Sequence, residues 1–113
     1  MVYVVNKAEL PSGVSASQFE GYLHEGVNVS FFLSHTLPGH GPGLHWHPYE
    51  EVFIVQSGKL TFTVGDVTIE ATGGQIVIVQ PEVPHKFINS GPEIACHVDI
   101  HVNTRMITTW LEK

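Results

Sequence analysis

The chain has 113 residues, of which 42% are hydrophobic and 14% are charged, and its formal net charge is −6. This length predicts a single domain, residues 1–113, and the ordinary apolar content excludes a disordered chain. Five basic residues against eleven acidic ones argue against nucleic-acid binding, which depends on Lys and Arg contacts to phosphate.

Two further features concern the compartment in which the protein works. The N-terminal apolar run, residues 2–5, is too short for a signal peptide or a membrane span. Cys96 is the one cysteine, so no internal disulfide forms. Because Cys96 and His97 are adjacent strand residues that point to opposite faces, we interpret Cys96 as part of the core and not as a nucleophile. We therefore expect a cytoplasmic protein that does not bind membranes.

Short apolar alternations separated by Gly, Pro, Asn and Asp run along the chain, a pattern typical of an all-β sandwich or barrel. It predicts strands at residues 27–36, 50–56, 59–64, 67–71, 75–80, 85–89 and 94–102. The Gly65-Asp66 pair predicts a hairpin turn, since Gly accepts the positive φ that such turns need. Residues 105–112 are predicted to form a short helix or an arm, and two adjacent threonines weaken the helix.

Two predicted strands are apolar on both faces. In residues 50–56, Val52 and Ile54 point to the face opposite the inward one. In residues 75–80, Ile76 and Ile78 likewise share one apolar face, and the residue that follows each of them is also apolar. A monomer rarely leaves a large apolar patch in water. We therefore expect either the N-terminal segment or a second subunit to cover this outer face.

Three histidines and a glutamate have the spacing of a metal site. His45, His47 and Glu51 have one parity, so in extended backbone they point the same way, and a hairpin-built fold can bring His85 back to them. Imidazole nitrogen and carboxylate oxygen suit Mn, Fe, Co, Ni, Cu or Zn better than Ca or Mg. The alternative is that these are surface histidines on a polar turn.

The same residues carry a resemblance to the cupin superfamily. The first cupin motif, G-x5-H-x-H-x3,4-E-x6-G, is matched at every fixed position from Gly39 through His45, His47 and Glu51 to Gly58. The second motif, G-x5-P-x-G-x2-H-x3-N, is matched by Gly74, His85 (which follows Pro84) and Asn89. It is not matched at two positions, where Gln80 replaces its Pro and Glu82 replaces its Gly. The motif-bearing part of the chain is residues 39–89.

The resemblance implies a small, single-domain cupin: a double-stranded β-helix, or jelly-roll barrel, with at most a short C-terminal helix. It also implies one divalent transition metal (Fe, Mn, Ni, Zn, Co or Cu) held by His45, His47, Glu51 and His85. Small cupins are commonly dimers, so a second copy is the expected cover of the outer face. The departures at Gln80 and Glu82 fall in the turn before His85 and put the shape of that turn in question.

Strand parity also selects candidates for the walls of a ligand pocket. Phe53, Val55 and Phe87 share a face with the ligands and are predicted to form an apolar wall, whereas Trp46 points away. Tyr49 and His40 are candidates for substrate contact at the mouth. The alternative for these two is that they only close a loop.

His97, Asp99 and His101 form another alternating row. One interpretation is a polar patch in the lumen that shuttles protons or orients substrate. We favour the other, a solvent or interface face of an edge strand, because the opposite residues are uniformly apolar and are expected to be core.

Three functions are compatible with these features. The first is a metal-dependent enzyme, a dioxygenase or isomerase, acting on a small polar, anionic or aromatic molecule, with Glu51 as a possible base. The second is a non-catalytic module that binds or senses a small molecule in the same cavity. The third, a sugar-nucleotide epimerase, is disfavoured because the resembling enzymes are larger and need basic residues for the diphosphate.

Overall fold

The computed structural model describes residues 1–112 as two five-stranded antiparallel sheets that face each other. Ten strands make up these sheets: β1 (Ala16–Glu20), β2 (Ser30–Thr36), β3 (His45–Trp46), β4 (Glu51–Ser57), β5 (Lys59–Val64), β6 (Val67–Thr72), β7 (Ile76–Val79), β8 (His85–Asn89), β9 (Ala95–His101) and β10 (Thr109–Trp110). Two short 3₁₀ turns, Lys7–Glu9 and Gly21–Leu23, are the helical elements of the described part. None of its helices is both long and apolar enough to cross a membrane.

The strand orders are those of a jelly roll. The first sheet runs β1-β2-β9-β4-β7 and the second runs β10-β3-β8-β5-β6, so strands distant in the chain are neighbours. All of the strand pairs are antiparallel, and β9 lies between β2 and β4. The all-β jelly-roll fold predicted from the cupin resemblance is confirmed.

The core lies between the two sheets and comes from the inward residues of each alternation. Its buried side chains are Phe53, Val55, Leu60, Phe62, Ala71, Val77, Val79 and Ala95. β5 illustrates the sequence signal, because Leu60 and Phe62 are buried while the alternating Thr61 and Thr63 are only half-buried. Most of the other buried side chains are polar or charged, and they include the histidines and the glutamate of the two motifs.

The segment predicted as a short helix or an arm is an arm that ends in β10. Thr109 pairs with Trp46, and Trp110 pairs with His45, so the arm adds a strand to the second sheet. Leu111 and Glu112 both donate backbone N–H groups to the Leu44 carbonyl. The C-terminal segment is therefore fixed beside the residues that carry the first motif.

The outer face of the first sheet keeps an apolar surface. In β7, Ile76 is 61% exposed and Ile78 is 62% exposed. Their cross-strand partners in β4, Ile54 and Val52, are half-buried. The N-terminal residues 1–5 are themselves exposed, so they leave the two β7 isoleucines uncovered.

The interpretation of the β9 polar row as a solvent or interface face is wrong. His97 is 1% exposed, Asp99 is 5% exposed and His101 is 2% exposed. β9 is a central strand whose inward residues face the lumen, and the apolar Val98 and Ile100 lie half-buried on the outside. On β9 the inward side is therefore the polar side, and the outward side is the apolar one.

Cys96 shares the outer face of β9 and is only partly buried, so its expected place in the core is wrong. Its neighbour His97 points into the barrel, as the alternation of burial along β9 requires.

Candidate metal centre

Three strand regions converge to bring the four predicted ligand side chains together. His45 and His85 are directly opposed across β3 and β8, Glu51 is the first residue of β4, and His47 follows β3. One potential ligand atom from each of the four lies within 4.8 Å of the others, and all four residues are buried. Sheet pairing thus brings Glu51 and His85 together, although they are 34 residues apart in the sequence.

All three histidines use Nδ1 in the same way, which fixes the role of Nε2. Each Nδ1 lies at hydrogen-bonding distance from a backbone carbonyl oxygen: His45 with Gly43 at 2.7 Å, His47 with Ile107 at 2.8 Å and His85 with Val83 at 2.9 Å. A carbonyl only accepts, so each Nδ1 carries the proton and donates it. In the neutral rings, each Nε2 therefore presents a lone pair, the tautomer found in metal-binding histidines.

The lone pairs crowd around one carboxylate oxygen. Glu51 Oε1 is 3.0 Å from His47 Nε2 and 2.9 Å from His85 Nε2. The approach to His47 lacks hydrogen-bond geometry, and this buried nitrogen has no hydrogen-bond partner among residues 1–112. A cation between these atoms converts a costly arrangement of buried acceptors into coordination.

The ionisation of the centre suits a metal. Burial lowers the pKa of His45 to about 4, so its ring is neutral near pH 7. Burial opposes the charge on Glu51, yet its close contacts with His101, His47 and His85 hold the pKa of its carboxyl well below the ordinary value. The pKa of His85 is raised, because the Glu51 carboxylate and the Val83 carbonyl outweigh its burial. Once a metal replaces the proton on His85, the donor set is three imidazoles and one carboxylate.

A second layer of residues holds the far oxygen of Glu51. His101 Nε2 lies 3.2 Å from Glu51 Oε2, and His101 Nδ1 lies 2.6 Å from the Tyr49 hydroxyl oxygen. The Ile107 N–H donates to the same hydroxyl at 2.9 Å. Each of these contacts has one donor and one acceptor when the Tyr49 hydroxyl donates to His101 Nδ1 and His101 Nε2–H donates to the carboxylate. Glu51 is therefore held from both sides.

The turn before His85 brings it to the centre despite the two departures from the motif. Glu82, which stands where the motif has Gly, has a φ of 67°, in the left-handed region that glycine adopts at low cost. Its N–H donates to the His47 carbonyl at 2.7 Å. A non-glycine residue thus adopts a conformation that glycine favours, and His85 reaches the centre.

A cavity of about 370 Å³ opens beside the centre. It is lined by side chains from both sheets and from the C-terminal arm: Ser15, Ala16, Phe32, Ser34, Thr36, His40, Gly41, Pro42, His45, His47, Glu51, Phe87, Asp99, His101, Thr108 and Trp110. The Trp110 ring lies beside the His45 ring, tilted by 47° with centroids 4.8 Å apart. The cavity therefore combines an ionic end with aromatic walls.

The predicted pocket residues occupy three different places. Phe87 and His40 line the cavity. Phe53 and Val55 share the inward face as predicted, but they belong to the packed core. Tyr49 is buried behind His47, with the two rings stacked at a centroid distance of 5.3 Å.

Other lumen residues were missed or given another role by the sequence interpretation. Asp99 and His101 line the cavity, and their alternation with Val98 and Ile100 was the signal that pointed to them. Trp110 and Thr108 reach the cavity only because the arm pairs with β3, and no spacing along the chain indicates that contact.

The jelly-roll barrel and its buried group of three histidines and a glutamate define a metal-binding β-barrel protein, and the four-residue site is compatible with one divalent metal. The chain belongs to the cupin domain family, whose match covers residues 32–102, well over half of the sequence. A comparison with curated proteins finds no match.

Solved structures of oxalate decarboxylases have the same fold. One, from a study of a reaction specificity switch, has a TM-score of 0.79 and 21% identity over 91% of this chain. The Bacillus subtilis enzyme, studied for its Mn(II) centres, has a TM-score of 0.78 and 21% identity over 91% of this chain. The Lactobacillus farciminis enzyme in a formate complex has a TM-score of 0.78 and 18% identity over 91% of this chain.

The chain spans only 30% of the first two of these longer proteins and 33% of the third. At such identities the likeness concerns the fold.

Proposed function

We propose that this protein is a metal-dependent enzyme, of the dioxygenase or isomerase class, that acts on a small molecule in the barrel lumen. The observation that carries the proposal is the set of three Nε2 lone pairs and one carboxylate oxygen beside an open cavity. His45, His47, Glu51 and His85 would hold the metal. When bound, a divalent transition metal supplies Lewis acidity or a site for dioxygen.

The charge and shape of the cavity favour a small anionic or chelating ligand. Three neutral imidazoles and one carboxylate leave a divalent ion with a formal charge of about +1 at the centre. The volume, about 370 Å³, is at the small end of ligand pockets, which measure roughly 300 to 1,000 Å³. Phe32, Phe87 and Trp110 supply apolar walls for a planar or aromatic molecule.

A second candidate function, a non-catalytic binding or sensing module, is supported by the environment of Glu51. Its Oε1 faces His47 and His85, and its Oε2 contacts His101. A carboxylate held at both oxygens is poorly placed to act as a mobile base. In this case, the residues of the centre bind a ligand without turning it over.

The two functions are separated by metal analysis followed by turnover assays. Protein purified without an affinity tag is analysed for metal, reconstituted with Mn, Fe, Co, Ni, Cu or Zn, and assayed for O2 uptake with catechol-like compounds and for isomerisation of small enediols. Turnover that depends on one metal supports the enzyme. Tight ligand binding with no turnover supports the binding module. A protein that takes up no metal contradicts both.

Replacing His85 tests the ligand set itself. We expect His85→Ala to lower metal affinity by more than about 100-fold, because outer-shell changes alone cost about 10- to 100-fold. The fold should persist, since His85 is buried but does not belong to the apolar core cluster. His35→Ala is the matched control, because His35 is exposed and lies outside the centre. Chelator competition measures the affinities, and equal values for H85A and wild type contradict the assignment.

We also propose that two copies of the chain associate through the outer face of the first sheet. Val52, Ile54, Ile76 and Ile78 form one apolar patch across β4 and β7, called here the β4–β7 patch. β7 ends its sheet, so a second copy can extend the sheet there while covering the patch.

A further inference from the structure

Asp99 is a buried carboxyl group that the metal centre does not use. It is 5% exposed and lies on the inward face of β9, between Phe32 of β2 and Phe53 of β4 in the strand register. Burying a carboxylate among aromatic side chains costs free energy, and an apolar residue of similar size would pack there at lower cost. Packing therefore gives no reason for an acidic group at this position.

His97 and Thr36 orient this carboxyl group. His97 Nδ1 lies 2.5 Å from Asp99 Oδ1, and His97 Nε2 lies 2.8 Å from the Thr36 hydroxyl. The set is satisfied when Nδ1–H donates to Asp99 and the Thr36 hydroxyl donates to Nε2. Asn89, the last residue of the second motif, donates its side-chain amide to the Thr36 carbonyl at 2.8 Å. The Asp99 side chain is thus fixed by a series of buried contacts.

The orientation places Asp99 in the wall of the same cavity that the metal centre faces. His101, which contacts Glu51, is two residues further along β9, and two residues of strand span about 7 Å. A molecule with one end at the metal ligands therefore reaches Asp99 with its other end if it is about the length of a substituted six-membered ring. Phe32 and Phe87 line the space between these ends.

The chemistry of Asp99 selects the group at that far end. Burial raises the pKa of its carboxyl, so negative charge is disfavoured and a hydrogen-bond donor from the ligand relieves it. A hydroxyl group provides such a donor without adding charge to the cavity. A second carboxylate on the ligand would instead be repelled by the ionised group.

From this geometry we infer that Asp99, positioned by His97, binds the distal hydroxyl of a small hydroxylated acid whose carboxylate lies at the metal centre. The ligand class is thus an aromatic or similarly compact hydroxy acid, with the two groups at opposite ends. The inference rests on the proposed metal-dependent function for the carboxylate end, and on the cavity and the Asp99–His97–Thr36 contacts for the hydroxyl end.

The test compares two probes that differ only in the hydroxyl group, 4-hydroxybenzoate and benzoate. Their affinities for the Mn²⁺-loaded and the metal-free protein are measured by calorimetric titration. We expect wild-type protein to prefer 4-hydroxybenzoate by about 10-fold or more, since a hydrogen bond to a charged group contributes about 1.5–3 kcal/mol. Asp99→Asn keeps the size of the side chain and should reduce the preference to a fewfold, and Asp99→Ala should abolish it.

Two controls separate this inference from the proposed function. Mn²⁺ affinity should be unchanged in Asp99→Asn, because Asp99 is not among the four ligands. Thr36→Val should weaken the hydroxyl preference less than Asp99→Ala does, because it only loosens the positioning of His97.

Each outcome decides between the alternatives. A hydroxyl preference that depends on Asp99 and persists without metal retains Asp99 as the hydroxyl site but contradicts the placement of the carboxylate at the metal. Equal affinity of wild-type protein for the two probes, no binding of either, or a preference that survives in Asp99→Ala overturns the inference. If wild-type protein does not bind Mn²⁺, that result contradicts the proposed function, whatever the probes show.

Discussion

At the scale of single residues, the backbone conformation of Glu82 costs free energy that it would not cost a glycine. Its φ of 67° lies in the left-handed region, which costs a residue with a Cβ about 1–2 kcal/mol. Gly removes that strain but loses more chain entropy on folding, about 0.5–1 kcal/mol. We expect Glu82→Gly to raise the free energy of unfolding by about 0.5–1 kcal/mol, measured by urea denaturation of the metal-free protein.

The matched control for this substitution is Glu93→Gly. Glu93 is exposed and is not among the non-glycine residues with positive φ, so the added chain entropy should destabilise the protein there. Equal effects at the two positions would mean that backbone strain does not distinguish them. A loss of metal affinity in E82G would mean that the Glu82 side chain, and not its backbone, holds the turn.

Tyr49 does not line the cavity, but its hydroxyl group is linked to the metal centre. Its hydroxyl accepts from Ile107 N–H and donates to His101, which in turn contacts Glu51. Tyr49→Phe leaves the aromatic stacking on His47 intact but removes these links. We expect metal affinity to fall by about 10-fold and stability by about 1–3 kcal/mol, measured by chelator competition and urea denaturation.

Tyr22→Phe is the control for Tyr49→Phe. Tyr22 is exposed and its ring lies under the Arg105 guanidinium at 3.8 Å, a contact that the phenyl ring retains. Wild-type metal affinity is expected in Y22F. Wild-type affinity in Y49F as well would show that the Glu51 orientation does not depend on the tyrosine hydroxyl.

The residues of the centre differ in how far the sequence reveals them. His45, His47 and Glu51 are close in sequence, so spacing and parity were enough to select them. The role of His101 depends on pairing of β9 with β4, which sets it opposite Glu51. Parity grouped His101 with Asp99, but the uniformly apolar opposite residues led to the wrong choice of the inward face, because both faces of a central strand are covered to some extent.

At the scale of elements, the strands with strong alternation were predicted and the shortest ones were not. β5 and β8 have the predicted bounds, and β4, β6, β7 and β9 differ by one residue at one or both ends. β3 and β10 have two residues each, too few for any period, and they exist because the C-terminal arm pairs with the first motif. β1 was missed because its polar residues carry little apolar alternation.

The same arm provides a test of its own placement through the two tryptophans. The Trp110 ring contacts the His45 ring at a tilt of 47°, whereas Trp46 alternates with the two histidines and does not line the cavity. Bound Cu²⁺ quenches a nearby indole, so we expect metal-dependent quenching of fluorescence in wild-type protein and in Trp46→Phe. Trp110→Phe should lose most of it, as measured by titration of Cu²⁺ at equal occupancy.

Occupancy in each variant is checked by metal analysis, so that a weakened site is not mistaken for a displaced tryptophan. Quenching of similar size in W110F and W46F would place the arm away from the centre. The pairing of β10 with β3 would then not describe the protein in solution.

At the scale of the whole molecule, the sheets differ in how their outer faces are finished. The second sheet ends in β6, where Val67 and Ile69 alternate with Thr68 and Glu70, a polar alternation that suits an exposed edge. The first sheet ends in β7, where the consecutive apolar residues Ile76–Val79 leave no polar side chain. This difference in edge composition is the physical basis for assigning the dimer contact to the β4–β7 patch.

Charge placed on that patch should separate the two subunits. Ile78→Lys puts an ammonium group at the proposed contact, where the loss of about 1.5–3 kcal/mol of side-chain burial from each subunit raises the dimer dissociation constant by about 100-fold or more. Val67→Lys, at a valine that is 53% exposed in the edge strand of the other sheet, should keep the wild-type mass. Sedimentation velocity over a range of concentrations measures both. Two results would contradict the assignment: a wild-type protein that is monomeric at every concentration, or equal dimer dissociation constants for I78K and V67K. The exposed isoleucines would then need no partner.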